Sequence, residues 1–218
     1  MKSLLLLVFC SVCIFSIECL DLESAKEQPC FKIEKTVPMG GEVPTGEITT
    51  IYYPHMSRLD LYMNAIDLLQ KDPKEISESS LYYDSCLVWK CNANGTQGHK
   101  DHGTYYSEGF DGRTREYEVE MVNGSEEVSK IRPVEGKGLT GTGYVTYSDN
   151  KTFFFSAFCT DDGQMTWNVA SLIPVLPEAS VKIIHEHALS LGFKKEFFTE
   201  LRYDRCQFPS EDIQNEAI

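Results

Sequence analysis

Basic residues are in short supply in this chain. Twenty Lys and Arg stand against 33 Asp and Glu, a formal charge of −13 over 218 residues. Phosphate backbones and anionic headgroups must be met by Lys and Arg, so nucleic acid and a membrane surface are both excluded as main partners. Long apolar runs are scarce too. After residue 17 none approaches the roughly 18 residues that suggest a membrane span. The sequence has no Gly-x-Ser-x-Gly, no phosphate-binding loop and no dinucleotide fingerprint, so no enzymatic activity is expected. Zinc wants two close cysteine pairs or matching His spacing, and only Cys86 and Cys91 are close, so neither metal nor cofactor is expected. His185-Glu186-His187 puts its two imidazoles on different helix faces and reads as helix surface.

What is present is an ordinary globular balance, 42% hydrophobic and 24% charged, at a length suited to one domain. Leu4 to Ile17 is almost wholly apolar and follows Lys2, which reads as a secretory signal peptide over residues 1–19, with a small residue at the cut in Cys19 or, alternatively, Ser16. The charge of the remaining chain stays at −13, because residues 1–19 carry one Lys and one Glu. Export to an oxidising compartment favours disulfides among the remaining cysteines. Three sequons, at Asn94, Asn123 and Asn150, are candidate glycosylation sites in turns. The expected product is a secreted, extracellular domain over residues 20–206, followed by a loose polar tail at 207–218.

From Thr45 to about Asp204 the pattern is mostly of period two. Glu116, Glu118 and Glu120 alternate with Tyr117, Val119 and Met121, which a strand places on opposite faces. Thr142 to Tyr147, Thr152 to Cys159 and Met165 to Ala170 read as further strands, separated by Asp- and Gly-bearing turns. This spacing predicts an antiparallel sandwich or barrel. The period then changes. Pro177-Glu178 opens a helix with Val181, Ile184, Ala188 and Leu191 on one stripe, and Gly192 fits its end. Between Met56 and Ser80, Leu59, Tyr62, Met63, Ile66 and Leu69 line a helical face that Asp72-Pro73 would end. The expectation there is a surface helix in a long loop, the alternative a mobile lid.

These residues resemble the lipocalin family. Tyr144 to Cys159 is similar to the family's second motif, with Ser148-Asp149-Asn150 at its turn. Trp167 to Leu176 looks like the last barrel strand and the bend before the helix. Thr45-Gly46-Glu47-Ile48 is similar to the opening Gly-x-Trp strand. Ile48 stands where Trp is expected and Leu172 where its Arg partner is expected, so an apolar contact between the two is the expected replacement. The resemblance covers about residues 30 to 206 and points to an outlier branch like the triabin and nitrophorin relatives of blood-feeding insects. It implies an all-β fold: an eight-stranded antiparallel up-and-down β-barrel with a C-terminal α-helix outside. It also implies a Cys30–Cys159 disulfide and a second one from Cys86 or Cys91 to Cys206.

Such a barrel encloses room for a small ligand. Taking the apolar half of each strand as inward, the candidate ligand-binding residues are Tyr117, Val119, Met121, Tyr144, Phe153, Phe155, Trp167 and Val169. A one-residue slip in register would exchange the two faces. In nitrophorin relatives a strand His holds haem, but His99 and His102 lie in a polar Gly-Lys-Asp context and are not expected to. Cys91 lacks a neighbouring base that would make it a nucleophile. Asp60 and Asp67 near the barrel mouth would suit an amine. The expected function is capture of a small hydrophobic or amine ligand; the alternative is an inhibitor of an extracellular protein, for example a haemostatic protease, acting through mouth loops.

Overall fold

The computed structural model describes residues 19–39, 48–78, 81, 87–92, 101–106, 114–122, 127–204 and 206; for residues 48, 49, 90–92, 101–106 and 114 this is the backbone alone. The chain runs α1 (Leu22–Ala25), β1 (Gln28–Pro29), β2 (Ile48–Ser57), α2 (Arg58–Leu69), β3 (Val88–Asn92), β4 (Asp101–Tyr106), β5 (Thr114–Met121), β6 (Val128–Pro133), β7 (Gly141–Ser148), β8 (Phe153–Thr160), β9 (Gln164–Ser171), α3 (Glu178–Ser190) and β10 (Phe198–Glu200).

All strand pairs are antiparallel, and β2 through β9 follow one another around a single sheet in chain order. The ring closes where β2 returns to β9, with His55 opposite Val169 and Met56 opposite Asn168. This is an eight-stranded up-and-down barrel. β1 and β10 patch the seam. β1 pairs with Gln164 and Met165 before β2 reaches β9, and β10 pairs with residues 55–57 beyond the point where β3 stops.

The two pleat faces of β8 and β9 serve different layers. Phe153, Phe155, Ala157, Met165, Trp167 and Val169 share one core cluster with Ile184 and Ala188 of α3. α3 therefore covers the outside of the wall. Gly192, at φ +93°, ends it, and the N–H groups of Gly192 and Phe193 donate back to the carbonyls of Leu189 and Ala188. Phe193 then folds under the helix, 2% exposed.

α2 lies on the opposite side of that wall. Its first turn is hydrogen-bonded to Thr166 and Asn168 of β9, and its last turn reaches Arg115 of β5. In the closed ring β5 stands four strands from β9 in either direction, so α2 crosses the barrel from wall to wall. The surface helix expected over this stretch is instead enclosed: nine of its residues are buried, among them Leu61, Ala65 and Leu68. The sequence explains why. Asp60, Asn64 and Asp67 interrupt what would otherwise be a solvent face, and all three find partners inside the barrel. An outward face of this helix would also leave Leu61 and Leu68 in water at about 1.5–3 kcal/mol each.

The disulfide Cys30–Cys159 is present. Cys206 is also disulfide-bonded, to a cysteine whose side chain is not among those described; Cys86 lies outside the described residues and Cys91 is described by its backbone alone. The expected contact between Ile48 and Leu172 falls on a side chain outside the described residues. Leu172 itself is 43% exposed.

Candidate ligand site inside the barrel

The interior is organised by α2. Ser57 caps the helix, its hydroxyl accepting from the Asp60 N–H at 3.2 Å. This places Asp60 in the first turn, where the helix dipole favours a carboxylate, and aims it at the inner face of β9. Thr166 Oγ1 donates to Asp60 Oδ1 at 2.9 Å, and the amides of Asn168 and Asn64 donate to Oδ2 at 3.2 and 3.3 Å. Each of these donors is neutral. Burial pushes the Asp60 carboxyl up to about 6, with Thr166 and Asn168 offsetting only part of the cost.

Asp67 ends the same stripe, two turns on. Its Oδ1 lies 3.5 Å from Arg115 Nη2 and accepts from Gln70 Nε2 at 3.3 Å. Its Oδ2 is buried with no donor among the described residues. Burial raises this carboxyl despite the Leu139 N–H and the Arg115 charge. Gly138 makes the approach feasible, because a Cβ there would overlap both the Asp67 carboxylate and the Arg115 guanidinium. The interior thus presents two carboxylates on one helix face, one latched by Arg115 and one held, among the described residues, by neutral groups only.

The eight expected ligand-binding residues divide by face. Tyr117 is 1% exposed and joins the core cluster that holds α2, as does Val119. Met121 shares their pleat face, opposite Ser129. The remaining five are corrected. Phe153, Phe155, Trp167 and Val169 point outward and pack under α3, and Tyr144, opposite Ala157, shares that outer face. The reason is the helix itself: an amphipathic helix outside the barrel needs an apolar bed, and Met165-Trp167-Val169 is the more apolar half of β9. The inward half of β9 is Thr166, Asn168 and Ala170, which are polar or small. The useful signal was that contrast between the two halves read together with the α3 stripe.

The two helix imidazoles are also corrected. His185 is half-buried, its ring 5.6 Å from that of His55 and 5.0 Å from Phe198. His187 meets Phe155 edge-on at 4.9 Å, and its Nε2 is 2.9 Å from Thr146 Oγ1. Both dock the helix rather than face solvent. His99 lies outside the described residues, as do the His102 side chain and the sequon residues Asn94 and Asn123. Asn150 is described and exposed, in the β7–β8 turn at φ +60°. The Asp149 carboxylate holds that turn, accepting from the N–H groups of Lys151, Thr152 and Phe153 at 2.9, 2.7 and 3.0 Å. Among the described residues no cluster of His, Cys, Asp and Glu is placed to hold a metal ion, and no helix is long and apolar enough to cross a membrane.

No family model matches the chain, and no curated protein matches it. Solved structures do. Insecticyanin from the tobacco hornworm Manduca sexta aligns over 85% of this chain and 94% of its own, with TM-score 0.53 and 11% identity. The amine-binding protein of Rhodnius prolixus, solved as a tryptamine complex, aligns over 86% of this chain and 94% of its own, with TM-score 0.50 and 14% identity. The chain has the lipocalin fold. In lipocalin terms α2 fills the connection between the first two barrel strands and enters the calyx, where it buries its own acidic stripe.

Proposed function

We propose that the protein is an exported carrier that sequesters a small ligand inside the barrel, and that the preferred ligand joins an apolar body to a protonated amine. One observation carries this reading: Asp60 is a carboxylate 1% exposed, within a barrel, with three neutral donors and no cation beside it among the described residues. A buried charge held this way is costly, and a ligand cation would complete it. Tyr117, Val119 and Met121 supply the apolar wall. The scaffold is compatible with such a guest, since the Rhodnius prolixus protein of the same fold was solved with tryptamine. Export follows from the leader over residues 1–19. Leu20, the next residue, is buried and donates its N–H to the Ile76 carbonyl. Glycans at Asn94, Asn123 and Asn150 belong to the same reading, as does the absence of an enzymatic role.

The test is a thermal-shift panel on the secreted full-length protein, with native mass spectrometry for a retained guest. Tryptamine or a related aryl-amine should raise Tm, and Asp60→Asn should abolish the shift. Equal shifts with neutral or acidic analogues would overturn the amine preference. The second reading, an inhibitor acting on an extracellular protein through the mouth loops, is favoured by α2 itself, which occupies barrel space a guest would need. An empty barrel that answers to no member of the panel selects it.

A further inference from the structure

The wall outside the barrel carries a feature that the interior reading does not use. Residues 31–38 form a strap across β7 and the end of α3. One end is fixed by the Cys30–Cys159 disulfide and by the Cys30 N–H, which donates to the Gly163 carbonyl. The other end is fixed by the Val37 N–H, which donates to the Val145 carbonyl, and by Ser148 Oγ, which donates to the Met39 carbonyl. Between the anchors a cavity of about 700 Å³ opens under the strap. That volume is within the range of about 300–1,000 Å³ that suits a small ligand.

The chemistry of the lining is two-sided. Phe31, Ile33 and Val37 of the strap, Tyr147 of β7 and Leu191 beyond α3 supply an apolar channel. His187 closes it on one side, its ring buttressed by Phe155 and Tyr147 and its Nε2 held by Thr146. Burial holds that imidazole below its ordinary pKa, hence neutral at pH 7, so it adds no charge to the channel. The charged residues of the lining are Lys32, Glu34 and Lys35, two cations and one anion, on a chain whose net charge is −13. Lys32 and Lys35 are exposed, which lets an ionic head stay hydrated while a chain lies beneath the strap.

We propose that this groove is a second, external binding site for a single-chain carboxylate amphiphile of the fatty-acid class, with its tail under the strap and its head at Lys32 and Lys35. It does not depend on what the barrel holds, and its charge preference is the reverse of the interior's, where Asp60 and Asp67 would repel a carboxylate.

The experiment is photo-crosslinking of the full secreted chain with a diazirine-bearing fatty acid and, in parallel, the matching fatty amine, followed by peptide mapping. The acid probe should mark peptides spanning 31–38 and 146–150, and Lys32→Glu with Lys35→Glu should cut that labelling about tenfold. Leu191→Trp, which fills the channel, should remove it while leaving the native circular dichroism spectrum unchanged. Asn150 stands at the rim, so Asn150→Gln is labelled alongside to take any glycan out of the comparison. Adducts confined to inward residues of the barrel, equal labelling by the acid and amine probes, or labelling that survives the lysine reversals would each overturn the proposal. Circular dichroism on every variant separates loss of the groove from loss of the fold.

Discussion

Asp60 and His55 are buried ionisable groups whose titrations pull in opposite directions. The Asp60 carboxyl is raised to about 6 by burial, above the ordinary 3.8. Its contribution is therefore fully present below pH 3.8 and lost as pH rises through 6, because ionising it inside the barrel costs more than in the unfolded chain. Asp60→Asn keeps the shape and removes the charge. It should stabilise the protein by about 1–3 kcal/mol at pH 7.5 and by little at pH 4, read from urea midpoints at the two pH values. A variant less stable at pH 7.5 than the parent would mean the ion is better solvated than its contacts indicate. His55 is lowered to about 4 by burial and by its neighbour His185. Its contribution is complete above pH 6.5 and lost as pH falls through 4. His55→Phe should therefore spare the protein about 2 kcal/mol of acid destabilisation at pH 5, measured against the parent over the same titration.

At the scale of elements, the wall formed by β8 and β9 separates two roles. Trp167 is fully buried between that wall and α3, its ring stacked on Phe155 at 5.1 Å and edge-on to Phe198 at 5.0 Å. Trp167→Ala should cost about 3–5 kcal/mol and raise hydrogen exchange throughout α3. Leu61→Ala on α2 should cost about 2–5 kcal/mol and instead expose amides on the inner strands. The reverse pairing of cost and location would show that the two faces have been exchanged. How far this was legible follows from the same wall. The positions of β5, β7, β8 and β9, the outer helix and its Gly192 end were readable, because period and end signals are local. Which face of Phe153-Phe154-Phe155 turns inward was not, because both faces are apolar and the answer depends on where α3 docks. The burial of α2 was hidden for a related reason: a helix with Asp60, Asn64 and Asp67 reads as half-solvated until Thr166 and Arg115 are seen to meet it. Asp60 and Asp67 could be singled out by charge, but their partners on the barrel wall, Arg115, Thr166 and Asn168, could not, lying 48 to 108 residues away in the chain.

At the scale of the molecule, the barrel is closed by hydrogen bonds and the strap by a covalent bond. The Cys30–Cys159 link spans 129 residues, nearly all of the barrel. On the chain-entropy model a loop of that length restricts the unfolded state by about 5 kcal/mol. Replacing both cysteines with serine should lower the unfolding free energy by about 2–5 kcal/mol without changing the far-ultraviolet spectrum of the native state. A loss of strand signal on the same substitution would show that the bridge organises the barrel rather than stabilising it.

The helix lodged inside the calyx has a kinetic corollary. A guest paired with Asp60 can dock only into those molecules in which α2 has shifted aside while keeping its first turn against β9, so the observed association rate should climb with guest concentration and then level off at the frequency of that shift. Stopped-flow fluorescence would show that ceiling. It would also show slow escape, since the door that delays arrival delays departure as well.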